Sequence, residues 1–314
     1  MQRILIIKPS SMGDIIHGLL VAEAIKAQLP EVTIDWVVRR EFAPLVKAAT
    51  AIEHTYLFER SAGVRGFVRL MREVRRRRYD AVLDLQGLAR SGILTRAAHA
   101  PRKLGRSDAR ECAWIGYTET TPKLPAGQPP HAVKILSAFL PMLGLAERLP
   151  TSLSFEAAEQ SVSLPAIEPG DKRVVLFPES RRAEKNWMGY EPLTRWLLEQ
   201  PTVGQVVWCG HVPFEAATPL LDGRLINLTG QTGIDQLPEL LNAADCVVSN
   251  DSGPMHLAAA LGRPLVTLFG PTAPDRFGPY PPVAERQRVL RRADGDLASI
   301  SLEEVGAAVA SMLG

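Results

Sequence analysis

Apolar residues along this chain come in short unbroken runs, separated by longer stretches in which they recur with helical spacing. "RILIIK" (3–8) reads as a buried strand, and "IIHGLLVAEAIKAQL" (15–29) repeats its apolar positions with the period of a helix. "TIDWVV" (33–38) and "AVLDLQG" (81–87) are two more strands, with a helix predicted over "VRGFVRLMREVRRRR" (64–78) between them. In that helix Val64, Phe67, Val68, Met71 and Val74 form the expected buried stripe, and Arg65, Arg69, Arg72 and Arg76 fall on another face.

A Pro/Gly-rich stretch, "TTPKLPAGQPPH" (120–131), reads as a surface loop, and "SVSLPAIEPGDK" (161–172) has the composition of a linker. The alternation then restarts. "RVVLF" (173–177), "QVVWC" (205–209), "RLINL" (224–228), "CVVS" (246–249) and "LVTLF" (265–269) are strands. Helices are expected around 190–199, over 234–243, from Pro254, and in the closing "SLEEVGAAVASML". Strands alternating with helices predict an α/β fold with parallel sheets and helices on both faces. Two doubly wound, Rossmann-like domains follow, 1–160 and 161–314, facing one another. Ligands of open parallel sheets lie beyond the carboxyl ends of the strands, so the strand-exit loops are where chemistry is sought.

Length agrees with two domains: 314 residues exceed one ordinary core. Hydrophobic content of 46% and charged content of 22% are ordinary for a globular enzyme. Cys112, Cys209 and Cys246 are odd in number, with no CxxC or zinc spacing, so reduced, buried thiols in a cytoplasmic protein are expected. The apolar start, "RILIIKP", is too short for a signal peptide or a membrane span. Charge changes the picture more. Residues 1–150 hold 23 Lys+Arg against 14 Asp+Glu, and the remainder 13 against 20, so one half is +9 and the other −7. A basic half suggests an anionic partner, although solvated surface arginines give the same count.

The exit loops carry the candidate chemistry. In "SNDSGPMHLAAALGRPLVTLFGPT" (249–272), Pro254 suits the first turn of a helix. Asp251, Ser252 and Gly253 then stand where free backbone amides and the helix dipole bind anions, with His256 one turn in. The plainer reading makes Asp251 or Ser252 a helix cap and His256 a core histidine. "PESRRAEKNWMGY" (178–190) clusters Ser180, Arg181, Arg182 and Lys185, groups suited to phosphates, with Trp187 packed beneath or stacked on a base. "GHVPFE" (210–215) is a third exit loop. Neither GxGxxG nor GxxxxGK[ST] occurs, which excludes an ordinary dinucleotide fold and a P-loop ATPase and leaves a nucleotide diphosphate such as a sugar nucleotide. In the first half, "KPSSMGDIIH" (8–17) holds Ser11, Gly13, Asp14 and His17 at the start of a helix. Asp14 is either a general base for an acceptor hydroxyl or a helix cap.

Together, "KPSSMGDIIH", "YDAVLDLQGLARSG", "ESRRAEKNW" and "VVSNDSGPMHLAAALGRPLVTLFGPT" resemble the ADP-heptose:lipopolysaccharide heptosyltransferases, inverting GT-B glycosyltransferases. The SSMGD-x-x-H form is nearer the type I enzymes. The resemblance implies a GT-B fold, transfer of heptose from ADP-heptose to a Kdo-lipid A acceptor, and no metal or other cofactor. It implies Asp14 as general base. It assigns Ser180, Arg181, Lys185, Asp251, Ser252, Gly253 and His256 to the donor. Ser11, Gly13, His17, Arg60, Arg65, Arg69 and Arg72 fall to the anionic acceptor, the arginines by position and charge alone. It further implies peripheral association with the cytosolic face of the inner membrane. The chain departs from the family in "PESRR", where two small hydroxyl residues are usual, and in a short C-terminus. A sugar-nucleotide 2-epimerase of the same fold, which needs further acid/base groups, and an inactive nucleotide-sugar-binding protein are the alternatives. Nucleic acid is not expected, because the arginine run lacks interleaved aromatics.

Overall fold

The computed structural model describes the chain apart from residues 125–126, 128–129, 180–181, 217–219 and 221. It divides into two compact units, Met1–Glu156 and Ala157–Gly314. The first contains strands β1 (Arg3–Ile7), β2 (Thr33–Arg39), β3 (His54–Phe58), β4 (Ala81–Asp84), β5 (Arg102–Gly105) and β6 (Glu119–Thr120). Its helices are α1 (Met12–Gln28), α2 (Ala43–Ala48), α3 (Gly63–Arg75), α4 (Ala89–Ala97), α5 (Ala132–Ser137) and α6 (Phe139–Met142). The second contains β7 (Lys172–Phe177), β8 (Val203–Trp208), β9 (Leu225–Asn227), β10 (Cys246–Asn250), β11 (Leu265–Phe269) and β12 (Gln287–Arg291). With them come α7 (Tyr190–Glu199), α8 (Leu237–Asn242), α9 (Gly253–Ala260), α10 (Pro274–Phe277) and α11 (Leu302–Leu313).

The sheet orders are β3-β2-β1-β4-β5-β6 and β12-β11-β10-β7-β8-β9, and all the pairings between these strands are parallel. Both sheets have one topology: the first strand lies beside the fourth, and the chain winds outward in both directions. This is the doubly wound architecture predicted from the alternation. The central strands are the uninterrupted apolar runs. Ile4, Leu5, Ile6 and Ile7 are fully buried, as a strand covered on both faces requires. Strands that the pattern did not disclose are mostly edges or their neighbours: β3 (HTYLF), β5 (RKLG), β6 and β12 (QRVLR) carry polar groups because solvent reaches part of them.

Packing corrects two expectations. In α3 the row that meets the sheet is Phe67, Leu70, Met71 and Val74, with Leu70 and Val74 buried. Val64, in the first turn, lies outside that row and is exposed. Cys112 is exposed as well, because it precedes a surface 3₁₀ turn, Ala113–Gly116, whereas Cys209 and Cys246 are buried. Burial pushes the Cys209 thiol up to about 11 and the Cys246 thiol up to about 12, which keeps both protonated. In the second unit α11 packs on its own sheet through Val305 and Val309, beside Trp208, Leu197 and Val248.

The turn Ala113–Gly116 lies against α4 almost backbone to backbone. A Cβ on Gly92 would fall 2.5 Å from the Ala113 carbonyl oxygen and 2.7 Å from its Cα, so no side chain fits there. Gly92→Ala should therefore destabilise the protein by about 1–3 kcal/mol through overpacking. Gly223→Ala, with open space around the new methyl group, should stay within about 0.5 kcal/mol of the parent. Thermal unfolding of the two variants beside the parent checks this, and equal midpoints would remove the close contact.

Candidate functional site

Because the first strand of each sheet sends the chain to one side and the fourth strand lies on its other side, the loops leaving β1 and β4, and those leaving β7 and β10, flank the two switch points. Each loop is fixed by bonds from the sheet itself. In the N-terminal unit the Trp36 indole N–H donates to the Lys8 carbonyl at 3.0 Å, and the Arg39 amide donates to the Pro9 carbonyl at 3.1 Å. The loop then turns into α1, capped by Ser11. Asp14, in the first helical turn, accepts the Ser11 amide at 3.2 Å and the Ser11 hydroxyl at 2.8 Å. Its other oxygen lies 3.5 Å from the Lys8 ammonium.

Lys8 is only 2% exposed, whereas the Asp14 side chain is 43% exposed. An open carboxylate thus stands over a buried cation. Burial lowers the Lys8 pKa from its ordinary value, and the charge of Asp14 opposes that shift. Arg106 and Asp84 lie within electrostatic range of the same ammonium. Asp84, at the end of β4, is fully buried and accepts the amides of Gln86 and Gly87, each at 2.9 Å, and the Tyr117 hydroxyl at 2.7 Å. Burial raises the Asp84 pKa, and these donors act against the rise.

At the other switch point the Asn250 side chain ties the two loops together. Its amide donates to the Pro178 carbonyl at 3.2 Å, and its oxygen accepts the Trp187 amide at 3.2 Å. Trp187 is buried and donates its indole N–H to the Ile300 carbonyl at 2.9 Å, so it packs beneath the loop. Lys185, from the loop after β7, meets Asp251, at the end of β10, at 2.5 Å; both side chains are largely buried, and Thr272 donates to the same oxygen. Ser252 caps α9 in an extended conformation, with its hydroxyl 3.2 Å from that of Ser249. The helix begins at Gly253, so the amides of Ser252, Gly253 and Met255 have no intrahelical carbonyl to bind. A lysine beside the positive end of a helix suits a phosphate.

Of the predicted donor residues, Lys185, Asp251, Ser252 and Gly253 come together here, and His256 is buried one turn into α9. Ser180 and Arg181 lie outside the described residues. Asp251 places the lysine through an ion pair, a contact with the protein rather than with an anion. On the acceptor side Ser11 and Asp14 are joined, and Gly13 sits in the first turn of α1 with helical backbone, so no turn freedom is used there. His17 is buried in α1, its ring 5.6 Å from that of His131. Arg60, Arg65, Arg69 and Arg72 are exposed, on α3 and the turn before it, which follow the edge strand β3. Arg69 lines a groove of about 470 Å³ between β3 and α3. Sequence reasoning passed over Lys8, Asp84, Arg106 and Thr272. The signal for the first two was visible: a charge at the end of "RILIIK" and another inside "AVLDLQG".

Among the described residues no group of three or more His, Cys, Asp or Glu side chains is placed to hold a metal ion. Comparison with known proteins sets this geometry in context. The Escherichia coli K12 protein named lipopolysaccharide heptosyltransferase 1 is 30% identical, over 97% of this chain and 98% of its own. The structure of the E. coli heptosyltransferase WaaC with ADP matches with a TM-score of 0.79 at 26% identity, covering 99% of this chain and all of that one. The same enzyme with ADP-2-deoxy-2-fluoro heptose matches at 0.77, again at 26% identity, over 98% and 99% of the two chains. These likenesses favour the glycosyltransferase over the epimerase. The sequence model of glycosyltransferase family 9 (heptosyltransferase) matches residues 67–303, and the chain belongs to that family.

Proposed function

We propose that this protein transfers heptose from ADP-heptose to the Kdo-lipid A inner core of lipopolysaccharide, with inversion at the anomeric carbon. The observation that carries the reading is the Lys185–Asp251 pair beside the start of α9, at the switch point of a sheet. Relatives whose structures hold ADP and an ADP-heptose analogue support it.

In this reading the α9 amides and Lys185 bind the donor diphosphate. As the bond to the sugar breaks, negative charge builds on the departing ADP. Fixed dipoles and an ammonium already in place stabilise that charge without reorganising, and no metal is needed. His256 and the loop containing Ser180 and Arg181 complete the donor contacts. Asp14, exposed to solvent yet anchored by Ser11 and Lys8, takes the proton of the acceptor hydroxyl as that oxygen attacks the face opposite the leaving group. The basic N-terminal unit favours an anionic acceptor through Arg60, Arg65, Arg69 and Arg72. Among the described residues no helix is long and apolar enough to cross a membrane. In this reading the protein meets its lipid-linked acceptor at the cytosolic face by peripheral association.

Two variants test the roles. Asp14→Asn keeps the acceptor atom for Ser11 and removes the base; kcat should fall about 10²–10⁴-fold, while titration with ADP stays within about twofold of the parent. Collapse of ADP binding would make Asp14 structural. Lys185→Ala removes one charge-assisted contact and should weaken ADP binding about 10–100-fold. Unchanged affinity by calorimetry would take Lys185 out of the donor site. Replacing Arg65, Arg69 and Arg72 together by alanine should raise KM for the acceptor and leave KM for the donor as it was. No acceptor effect would make them ordinary solvated residues.

A further inference from the structure

One surface of the N-terminal unit takes no part in the chemistry above. Trp114 is 61% exposed, Ile115 58% and Ile93 52%. Ile93 and Ile115 line one shallow groove of about 440 Å³ with Met71, Ala97 and Gly116. Trp114 stands on the same 3₁₀ turn, which the Gly92 contact locks against α4. Apolar side chains gathered in the open in this way mark a contact surface.

The rim is cationic. Segment 89–116 contains six Arg and Lys residues against two Asp and Glu. Two cations are paired, Arg106 with Asp108 and Arg102 with Glu119, and Glu111, which lines the groove and accepts the Ala89 amide, is the one acid of the segment left at the rim. Arg96 lines the groove itself, and Arg90 and Arg110 are exposed on either side of it in sequence. Arg75 donates to the Ala97 carbonyl and Lys103 to that of Arg96, which holds two more cations at the last turn of α4.

An exposed tryptophan and isoleucines with a net excess of cations at their rim, Arg90, Arg96 and Arg110 against Glu111, match the interfacial region of an anionic bilayer. The ring and alkyl groups suit the boundary between headgroups and chains, and the guanidinium groups suit lipid phosphates. We propose that this groove and its rim are the face by which the N-terminal unit docks on an anionic membrane. The inference deepens the reading of a lipid-linked acceptor and rests on it. The excess of cations, more than any apolar partner would need, favours a bilayer over another protein.

The test is co-sedimentation of the full chain with vesicles of phosphatidylcholine, with and without phosphatidylglycerol, and no acceptor. Binding should require phosphatidylglycerol, fall as salt rises, and shift tryptophan emission to the blue. The shift should vanish in Trp114→Phe, since Trp36, Trp187 and Trp208 are buried and the half-buried Trp196 packs on the core of the C-terminal unit. The pair Trp114→Ser/Ile115→Ser should reduce partitioning at least tenfold. The pair Arg90→Glu/Arg96→Glu should reduce it further, since each cation near such a surface is worth roughly fivefold. Unchanged ADP affinity confirms that both variants are folded. No vesicle binding, or binding that neither pair alters, overturns the proposal. So does a parent oligomer that Trp114→Ser/Ile115→Ser dissociates without changing partitioning, which would make the patch a protein interface. Failure of transfer to a detergent-dispersed acceptor, with vesicle binding intact, counts instead against the assigned reaction.

Discussion

Parallel pairing sends the carboxyl ends of all the strands to one edge of each sheet. Carbonyls, loops and helix N-termini are therefore crowded together there, and the protein must compensate what it buries. The compensation is visible as charge. Lys8 lies buried beside Asp14 at one switch point, and Lys185 beside Asp251 at the other. Removing one member of the closed pair, Lys185–Asp251, leaves an uncompensated buried charge, at a cost of about 3–5 kcal/mol, whereas solvent at Asp14 screens the other pair. The closed pair is thus tied to stability as well as to chemistry, and the difference in exposure sets the tasks of the two. Asp14 is the open member of its pair, as the proposed base must be. Asp251 is the closed member of its pair and holds a cation in place.

The two units use one design with different contents. A tryptophan indole anchors each loop, Trp36 to Lys8 and Trp187 to Ile300. Hydrogen bonds within the loops then fix the functional side chains before any substrate arrives. That order matters energetically, because a site whose dipoles are already aligned need not reorganise as charge develops. The N-terminal unit offers a carboxylate and a basic surface, the C-terminal unit a helix N-terminus and an ammonium. These are the needs of an acceptor hydroxyl and of a departing nucleotide diphosphate, respectively.

Much of this was legible in the sequence, for reasons that differ by element. β1, β7, β10 and β11 are buried on both faces, so their apolar runs leave little choice of structure. β3, β6 and β12 are exposed along part of their length, and their mixed residues give no period to read. α3 was found, but its packed row is centred on Leu70, because a first-turn residue such as Val64 need not reach the sheet. Asp14, Lys185 and Ser252 were recognisable from their place at strand exits. Lys8 and Asp84 showed only as charges in apolar runs, and Thr272 gave no signal, since it meets Asp251 only because β10 and β11 lie side by side. The part that Asp251 plays was hidden for the same reason. A lone aspartate at a helix start reads as a cap until its partner lysine, sixty-six residues away, is located.

The most direct test of the account is the stereochemistry of the product. Purified protein, ADP-heptose and a Kdo-lipid A acceptor would be incubated together, and the new glycosidic linkage read by the anomeric couplings in its NMR spectrum. The account predicts one added heptose whose anomeric configuration is opposite to that in the donor, as a single displacement with Asp14 as base requires. A product with the donor's configuration, or no heptosylated product from folded protein, would contradict it.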